Sequence, residues 1–165
     1  MQTGDPLTFC LTDASATALR EADIELDGIA PATLVTEGGH QCMRAVLASG
    51  QINTDLTGLT GSVKGGFAFH RGAQRAEFAD PSATLAPDRT GTYSAVHQGK
   101  RVDVMTSTAA TVDLSLSKVS TKDLPLRLTQ AGADALTAQF TNSPIPAGGQ
   151  LFAANASFKV LPALS

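Results

Sequence analysis

The sequence predicts a mostly β chain, an antiparallel β-sandwich or meander with two short α-helices near residues 13–22 and 130–140. Three observations support this fold class. From Gly61 onward, short runs of β-forming residues alternate with turn residues at the spacing typical of sandwiches and barrels. Near each end, an alternating run leads into a threonine and an alanine-rich stretch, as strands lead into capped helices. The length of 165 residues suits one domain, which we predict to span 1–165.

The first predicted unit is a strand followed by a helix. Residues 7–11, LTFCL, alternate apolar and polar side chains, as a half-buried strand does. Thr12 or Asp13 can then cap a helix over ASATALREA, which is too short to be stable alone in water. We therefore expect this helix to pack on the sheet through inward side chains at Ala14, Ala18 and Leu19. Residues 24–29, IELDGI, restart extended structure.

The middle of the chain predicts a series of hairpins. Phe67 and Phe69 share one face of a strand in GGFAFH, because side chains two residues apart point the same way. The next strand, RAEFA, is predicted to end before the turn residues Asp80 and Pro81. Gly99 after Gln98 predicts a tight hairpin that needs a positive φ angle, and Gly91 after Thr90 predicts another.

The C-terminal end repeats the pattern of the N-terminal end. LTFCLTDASATAL at 7–19 and LPLRLTQAGADAL at 124–136 have the same residue at seven positions. We interpret 7–29 and 124–160 as related β-α-β segments, each placing one helix over an open end or edge of the sheet. Independent convergence on a strand, a threonine cap and an alanine-rich helix is the alternative.

Composition excludes some classes of protein. The net charge of −3 argues against a nucleic-acid surface, which needs a basic patch. No apolar run approaches the 18 residues or more of a membrane span. The start, MQTGDP, lacks the basic and apolar regions of a signal peptide, so a mature secreted chain, a cytoplasmic protein and a viral protein all fit. Acidic residues dominate 1–60 and basic residues dominate 61–101. Chance variation over solvated faces explains this gradient, and complementary patches that bind copies head to tail are the alternative hypothesis.

The cysteines and histidines form no recognisable metal-binding or catalytic motif. Cys10 and Cys42 are candidates for one disulfide, worth roughly 3–4 kcal/mol on a chain-entropy model, and two buried thiols are the alternative. The three histidines lack zinc-site spacing, so no metal site is predicted. Serine-nucleophile, zinc-protease and phosphate-loop motifs are absent, and we expect no enzyme.

Several motifs together resemble a known family. GSVKGGFAFH, the strand ending in EFADP, the hairpin GTYSAVHQGKRVDV and the later LRLTQAGADAL resemble secreted actinobacterial β-sandwich domains of the HtaA type, loosely over about residues 60–160. Members of that family are secreted or surface-attached, and some bind haem through a tyrosine supported by a histidine. The resemblance matches His70 to the histidine after the F-x-F strand. The family's tyrosine-bearing aromatic segment near the N-terminus is missing here.

These observations leave three residues as candidate ligand groups: His70, Tyr93 (the only tyrosine) and His97, which shares the face of Tyr93 on a strand. We predict a non-catalytic structural or binding protein, extracellular or on the cell surface, that acts through protein contact or self-association and has no cofactor. The alternatives are a haem carrier resembling the HtaA type and a structural protein of a virion or phage. An enzyme using Asp103, His97 and His70 is a further alternative.

Overall fold

The computed structural model describes residues 6–52, 55–108, 112–115 and 117–159. These residues form twelve strands and two helices. In chain order the elements are β1 Pro6–Leu11, α1 Asp13–Glu21, β2 Glu25–Ile29, β3 Thr33–Glu37, β4 His40–Ile52, β5 Leu59–Val63, β6 Gly66–Arg71, β7 Gln74–Leu85, β8 Thr90–His97, β9 Lys100–Thr108, β10 Val112–Leu114, β11 Lys118–Leu128, α2 Gln130–Phe140 and β12 Gln150–Lys159.

The strands of the described residues form one antiparallel sheet, most of which closes into a barrel. Around the barrel the order is β7-β5-β4-β1-β12-β11-β9-β8, and pairing of β8 with β7 completes the circle. β2 and β6 extend from β7, β3 pairs with β4, and β10 pairs with β11. The mostly β, antiparallel class is confirmed, but a closed barrel takes the place of the predicted sandwich. The two architectures share one buried face per strand, so their alternation patterns are the same.

Closure of the barrel depends on the length of β7. The sequence predicted that this strand ends before Asp80 and Pro81, and this prediction is wrong because β7 continues to Leu85. Asp80 has a φ angle of 48° at an irregularity between Ala79 and Ser82. Proline is tolerated at such a bulge because the ladder there needs no N–H donor. β7 therefore pairs with β6 through its first half and with β5 through its second half, while β8 occupies its other edge.

Both predicted helices are present. The side chain of Thr12 caps α1 by accepting a hydrogen bond from the backbone N–H of Ser15, as expected of an N-cap threonine. The buried face is shifted from the prediction, because Ala14 is exposed whereas Ser15 and Leu19 are buried. Ser15 can be buried at little cost since its hydroxyl donates to the carbonyl of Leu151 at 2.8 Å.

The two helices close the same end of the barrel. β1 and β11 both pair antiparallel with β12, so they run in the same direction, and Leu11 and Leu126 both lie opposite Phe152. α1 follows β1 and α2 follows β11, where the side chain of Thr129 accepts from the N–H of Gly132. Both segments thus have the same arrangement of strand, threonine cap and helix. Their equivalence as related units stays a prediction.

One arginine joins the C-terminal ends of both helices. Arg71, at the end of β6, donates hydrogen bonds to the carbonyl of Ala22 after α1 and to the carbonyl of Phe140 in α2, each at 3.2 Å. Its guanidinium also lies 5.7 Å from the centre of the Phe140 ring. Helix C-termini leave carbonyls without intrahelical donors and carry partial negative charge, so a cation is favourable there. Arg71 therefore links the C-terminal ends of the two helices at the closed end of the barrel.

The main hydrophobic core lies inside the barrel and packs against these two helices. Phe67 stacks on Phe78 with ring centres 5.1 Å apart and meets Phe152 edge-on at 5.5 Å. All three rings are buried, together with Leu19 of α1 and Leu136 of α2. Within the part of the chain that the structure describes, neither helix is long and apolar enough to cross a membrane.

Candidate functional site

The end of the barrel opposite the helices contains a cavity of about 130 Å³. Its outer walls come from strand segments far from α1 and α2, where Leu59 lies opposite Leu85 and Val119 lies opposite Phe158. The cavity extends inward as far as Phe67 in the main core. The described residues that line it include no Asp, Glu, Lys, Arg or His. The cavity is therefore an apolar chamber without charge.

Tyr93 is the one ionisable side chain that lines this cavity among the described residues. It lies on β8 opposite Ala83 of β7 and Met105 of β9, and its hydroxyl is 3.3 Å from the hydroxyl of Ser107. Burial raises the pKa of the Tyr93 phenol, and the hydrogen bond with Ser107 lowers it by a smaller amount. The phenol is therefore neutral near pH 7 and can donate a hydrogen bond.

Gly91 provides the space for this pair of hydroxyls. It lies opposite Ser107 on β9, and a Cβ atom at this position would overlap the Ser107 Oγ and lie 3.2 Å from the Tyr93 hydroxyl oxygen. The φ angle of Gly91 is not positive, so the prediction of a hairpin glycine here is wrong, whereas Gly99 has a φ of 78° as predicted. Gly91 is required for space, not for backbone conformation.

His97 is a core residue of a different region. It is 8% exposed, its ring stacks on Phe78 with centres 5.1 Å apart, and its Nδ1 is 3.0 Å from the carbonyl oxygen of Glu77. Although His97 shares the inner face of β8 with Tyr93, four residues of strand separate them by roughly 13 Å. His97 does not line the cavity.

His70 lies on the outside of the barrel. Its neighbour Phe69 is 1% exposed and points inward, so His70 points outward by the alternation of the strand. Its Nε2 is 3.5 Å from the carboxylate of Glu25 on β2, and about a third of the side chain is exposed. The structure therefore places His70 and Tyr93 on opposite faces of the sheet.

Cys10 and Cys42 lie directly opposite each other on β1 and β4 and are joined as a disulfide. The carboxylate of Glu37 lies near both sulfur atoms. Metal binding by cysteine requires thiolates, so this group holds no metal while the disulfide is intact. The bridge connects two neighbouring strands of the barrel wall, away from the cavity.

Two residues that contact Tyr93, Gly91 and Ser107, were not predicted as its neighbours from the sequence. A tight turn at Gln98 and Gly99 predicts a simple register in which Gly91 faces Thr106. The strands instead contain an irregularity between Tyr93 and Ser94, which moves Ser107 opposite Gly91. No pattern in the sequence marks this shift.

Solved structures share the fold of this chain, whereas comparisons of sequence give no match. No known protein-family model matches the chain, and no curated protein matches it in sequence. The C-terminal domain of HtaA from Corynebacterium glutamicum is similar in structure with a TM-score of 0.67 and 14% identity, covering 95% of this chain and 98% of that domain. The fold is of the HtaA type. The resemblance that the sequence motifs indicate is thus confirmed at the level of the fold.

Two further structures share this HtaA-type fold. A domain-swapped dimer of a histidine-to-alanine variant of the same HtaA domain gives a TM-score of 0.65 at 14% identity, covering 88% of this chain and 90% of that one. Heme-binding protein HtaB from the same organism gives 0.55 at 11% identity, covering 95% and 93%. At such identities the comparison describes the fold and not the ligand.

Proposed function

We propose that this chain is a non-catalytic binding protein that takes a small apolar molecule into the open end of its barrel. The observation that carries the proposal is the charge-free cavity of about 130 Å³ with the Tyr93 phenol in its wall. Ligand sites are mostly apolar and contain a few polar groups that fix orientation. Convergent titratable groups, which general acid–base chemistry requires, are missing from the described lining.

The size of the cavity limits the ligand. An engineered apolar cavity of about 150 Å³ stays dry and binds benzene, so this cavity suits a molecule of about that size. An unfilled cavity of 130 Å³ costs about 3 kcal/mol at roughly 24 cal/mol per Å³. A bound apolar molecule would offset part of this cost, which gives binding a physical driving force.

Titration of nitrogen-15-labelled protein with benzene, followed by NMR, tests this proposal. We expect saturable shifts of amides around the cavity, including those of Ala83 and Tyr93. The substitution Ala83→Leu fills the cavity opposite Tyr93 and should weaken binding at least tenfold. Thr92→Leu is the control, because Thr92 precedes Tyr93 on β8 and faces away from the interior. Absence of saturable shifts in the unmodified protein, or equal binding by the Ala83→Leu variant, would overturn the proposal.

Haem is the second candidate ligand, and the fold shared with HtaB favours it. The three candidate ligand residues from the sequence, of which the resemblance matches only His70, do not fit a common iron. Tyr93 lines a cavity far smaller than a tetrapyrrole needs, His70 is on the outer face beside Glu25, and His97 is packed against Phe78. Haem would therefore have to bind elsewhere, on the outside of the barrel.

A hemin titration separates this candidate from the first. A sharp Soret band that persists in both Tyr93→Phe and His70→Ala would support a haem site made by other residues. Loss of the band in Tyr93→Phe would show that our placement of Tyr93 away from haem is wrong. No band in the unmodified protein would remove haem as a ligand.

An extracellular or cell-surface location, a protein partner or self-association, and a structural part in a virion all stay predictions. Sedimentation across a range of concentrations tests self-association directly. A monomer at every concentration would argue against it.

A further inference from the structure

We propose that Cys10, Cys42 and Glu37 bind a thiophilic divalent cation, Zn²⁺, when the disulfide of this chain is reduced. The site is on the outer face of the barrel, and none of its three residues lines the cavity. The inference therefore goes beyond the proposed function and does not depend on it. Three features support the site: convergence of the donors, the chemistry of the donors and an arginine that orients the carboxylate.

Three adjacent strands bring the donors together. The same stretch of β4 pairs with β1 on one edge and with β3 on the other. The neighbours of the two cysteines, Leu11 and Met43, are core residues, so the cysteines point to the outer face. Glu37 lies at the end of β3. The sulfur atoms of Cys10 and Cys42 and a carboxylate oxygen of Glu37 all lie within 4.8 Å of one another.

Reduction makes the sulfur atoms available as ligands. A dithiol transfers two electrons and two protons to the bridge: the S–S bond breaks, Cys10 and Cys42 become thiols, and the dithiol becomes a disulfide. Each thiol then releases its proton to water as its sulfur binds the cation, because the thiolate is the ligand. Opposed side chains on paired strands have Cβ atoms about 4.5–5.5 Å apart. Side-chain rotation can therefore place the two sulfurs about 3.8 Å apart, as tetrahedral zinc with Zn–S distances of about 2.3 Å requires.

The donors select the class of metal. Thiolates are soft ligands that suit Zn²⁺, whereas Mg²⁺ and Ca²⁺ prefer oxygen. Two thiolates and one carboxylate supply three ligands of a tetrahedral zinc, and we assign the fourth position to water. Cys10 is partly exposed and Glu37 is exposed, so the cation can enter from solvent.

Arg44 holds Glu37 in position beside the sulfurs. Its Nη2 donates to Oε1 of Glu37 at 3.1 Å. A carboxylate has a second oxygen, so this pair can persist while the other oxygen binds the cation. Outer partners of this kind orient metal ligands. The positive charge of Arg44 also offsets the negative charge that remains when a divalent cation binds two thiolates and a carboxylate.

Titration of the reduced full chain with Co²⁺ and Zn²⁺ tests this assignment. A phosphine reductant, which is oxidised to the phosphine oxide, adds no competing thiol. One Co²⁺ per chain should bind and give the near-ultraviolet charge-transfer absorption of thiolate ligation, which Zn²⁺ should remove by displacement and Mg²⁺ should not. The oxidised chain should lack this absorption. Saturating Zn²⁺ should also raise the urea midpoint of the reduced chain, because a ligand stabilises the folded state that binds it.

Two acid-to-amide variants isolate the role of Glu37. Glu37→Gln should weaken Zn²⁺ binding by about tenfold or more, since loss of even an outer partner of a ligand costs about 10–100-fold. Asp13→Asn is the matched control, because Asp13 is exposed nearby, beside His40, and is not one of the donors. It should change Zn²⁺ binding by less than about threefold, as expected of an exposed charge.

The double variant Cys10→Ser, Cys42→Ser lacks both the bridge and the thiols, so Zn²⁺ should not raise its urea midpoint. A rise equal to that of the reduced chain would overturn the inference, and so would a reduced chain without charge-transfer absorption. Equal Zn²⁺ binding by Glu37→Gln and Asp13→Asn would overturn the three-donor site. If reduction unfolds the chain, Zn²⁺ should restore its circular dichroism spectrum, and failure to do so would also overturn the inference.

Discussion

Replacement of Arg71 should loosen the closed end of the barrel. In Arg71→Met the side chain keeps much of its length and its contact with the Phe140 ring, but it loses the hydrogen bonds to the carbonyls of Ala22 and Phe140. Those two carbonyls belong to different helices, so a single substitution removes a charge from two helix C-termini.

The expected loss of stability in Arg71→Met follows from these contacts. A hydrogen bond to a charged donor contributes about 1.5–3 kcal/mol, and partial exposure of Arg71 reduces that value for each of its two bonds. We therefore expect Arg71→Met to lower the free energy of unfolding by about 2–4 kcal/mol. For a chain of this size, that corresponds to a fall in Tm of about 5–15 °C. Arg71→Lys keeps the charge but lacks the planar fork that reaches both carbonyls, so it should lose about half as much.

Urea unfolding followed by circular dichroism measures these differences. Arg20→Met is the control, because Arg20 is exposed on α1 and bonds only to the exposed side chain of Thr17 among the described contacts. It should cost about 0.5 kcal/mol or less. Equal unfolding midpoints for Arg71→Met and Arg20→Met would refute the reasoning that Arg71 joins the helices.

Three further predictions concern the cavity and the barrel wall. Gly91→Ala should destabilise the protein by about 1–3 kcal/mol, because the added Cβ overlaps the Ser107 Oγ. In a double-mutant cycle measured by urea unfolding, adding Ser107→Ala should recover part of this loss. The Cys10–Cys42 bridge joins residues 32 positions apart, and its reduction should lower the free energy of unfolding by about 4 kcal/mol. Urea unfolding with and without dithiothreitol measures this change, and equal midpoints would contradict the prediction. Burial raises the pKa of Tyr93 above its ordinary value of about 10, so the phenolate absorbance should appear above pH 10 in the folded protein. The free energy of unfolding should fall as pH rises from about 10 through that raised pKa. Titration of the Tyr93 phenol at its ordinary pKa would contradict this prediction.

Local patterns predicted the elements well. The threonine caps and alanine-rich runs predicted both helices, because capping depends on residues three positions apart. The alternation around Phe67 and Phe69 predicted an inward face, which both rings occupy. These features depend on neighbours within one turn or one strand.

Features that depend on pairing between strands could not be predicted. Closure of the barrel requires β7 to continue through Pro81, and whether a proline ends a strand or lies at a bulge depends on the neighbouring strands. The strands β3 and β4 were not predicted at all, although β4 is thirteen residues long and forms part of the wall. The Tyr93–Ser107 pair depends on an extra residue in β9, which shifts the register without a local pattern.

Xenon binding in a crystal under gas pressure tests the barrel cavity most directly, because xenon occupies dry apolar cavities of this size. We predict a xenon site inside the open end of the barrel, between Ala83, Tyr93 and Leu59. A barrel interior filled by side chains or ordered water, with no xenon at this position, would contradict the account.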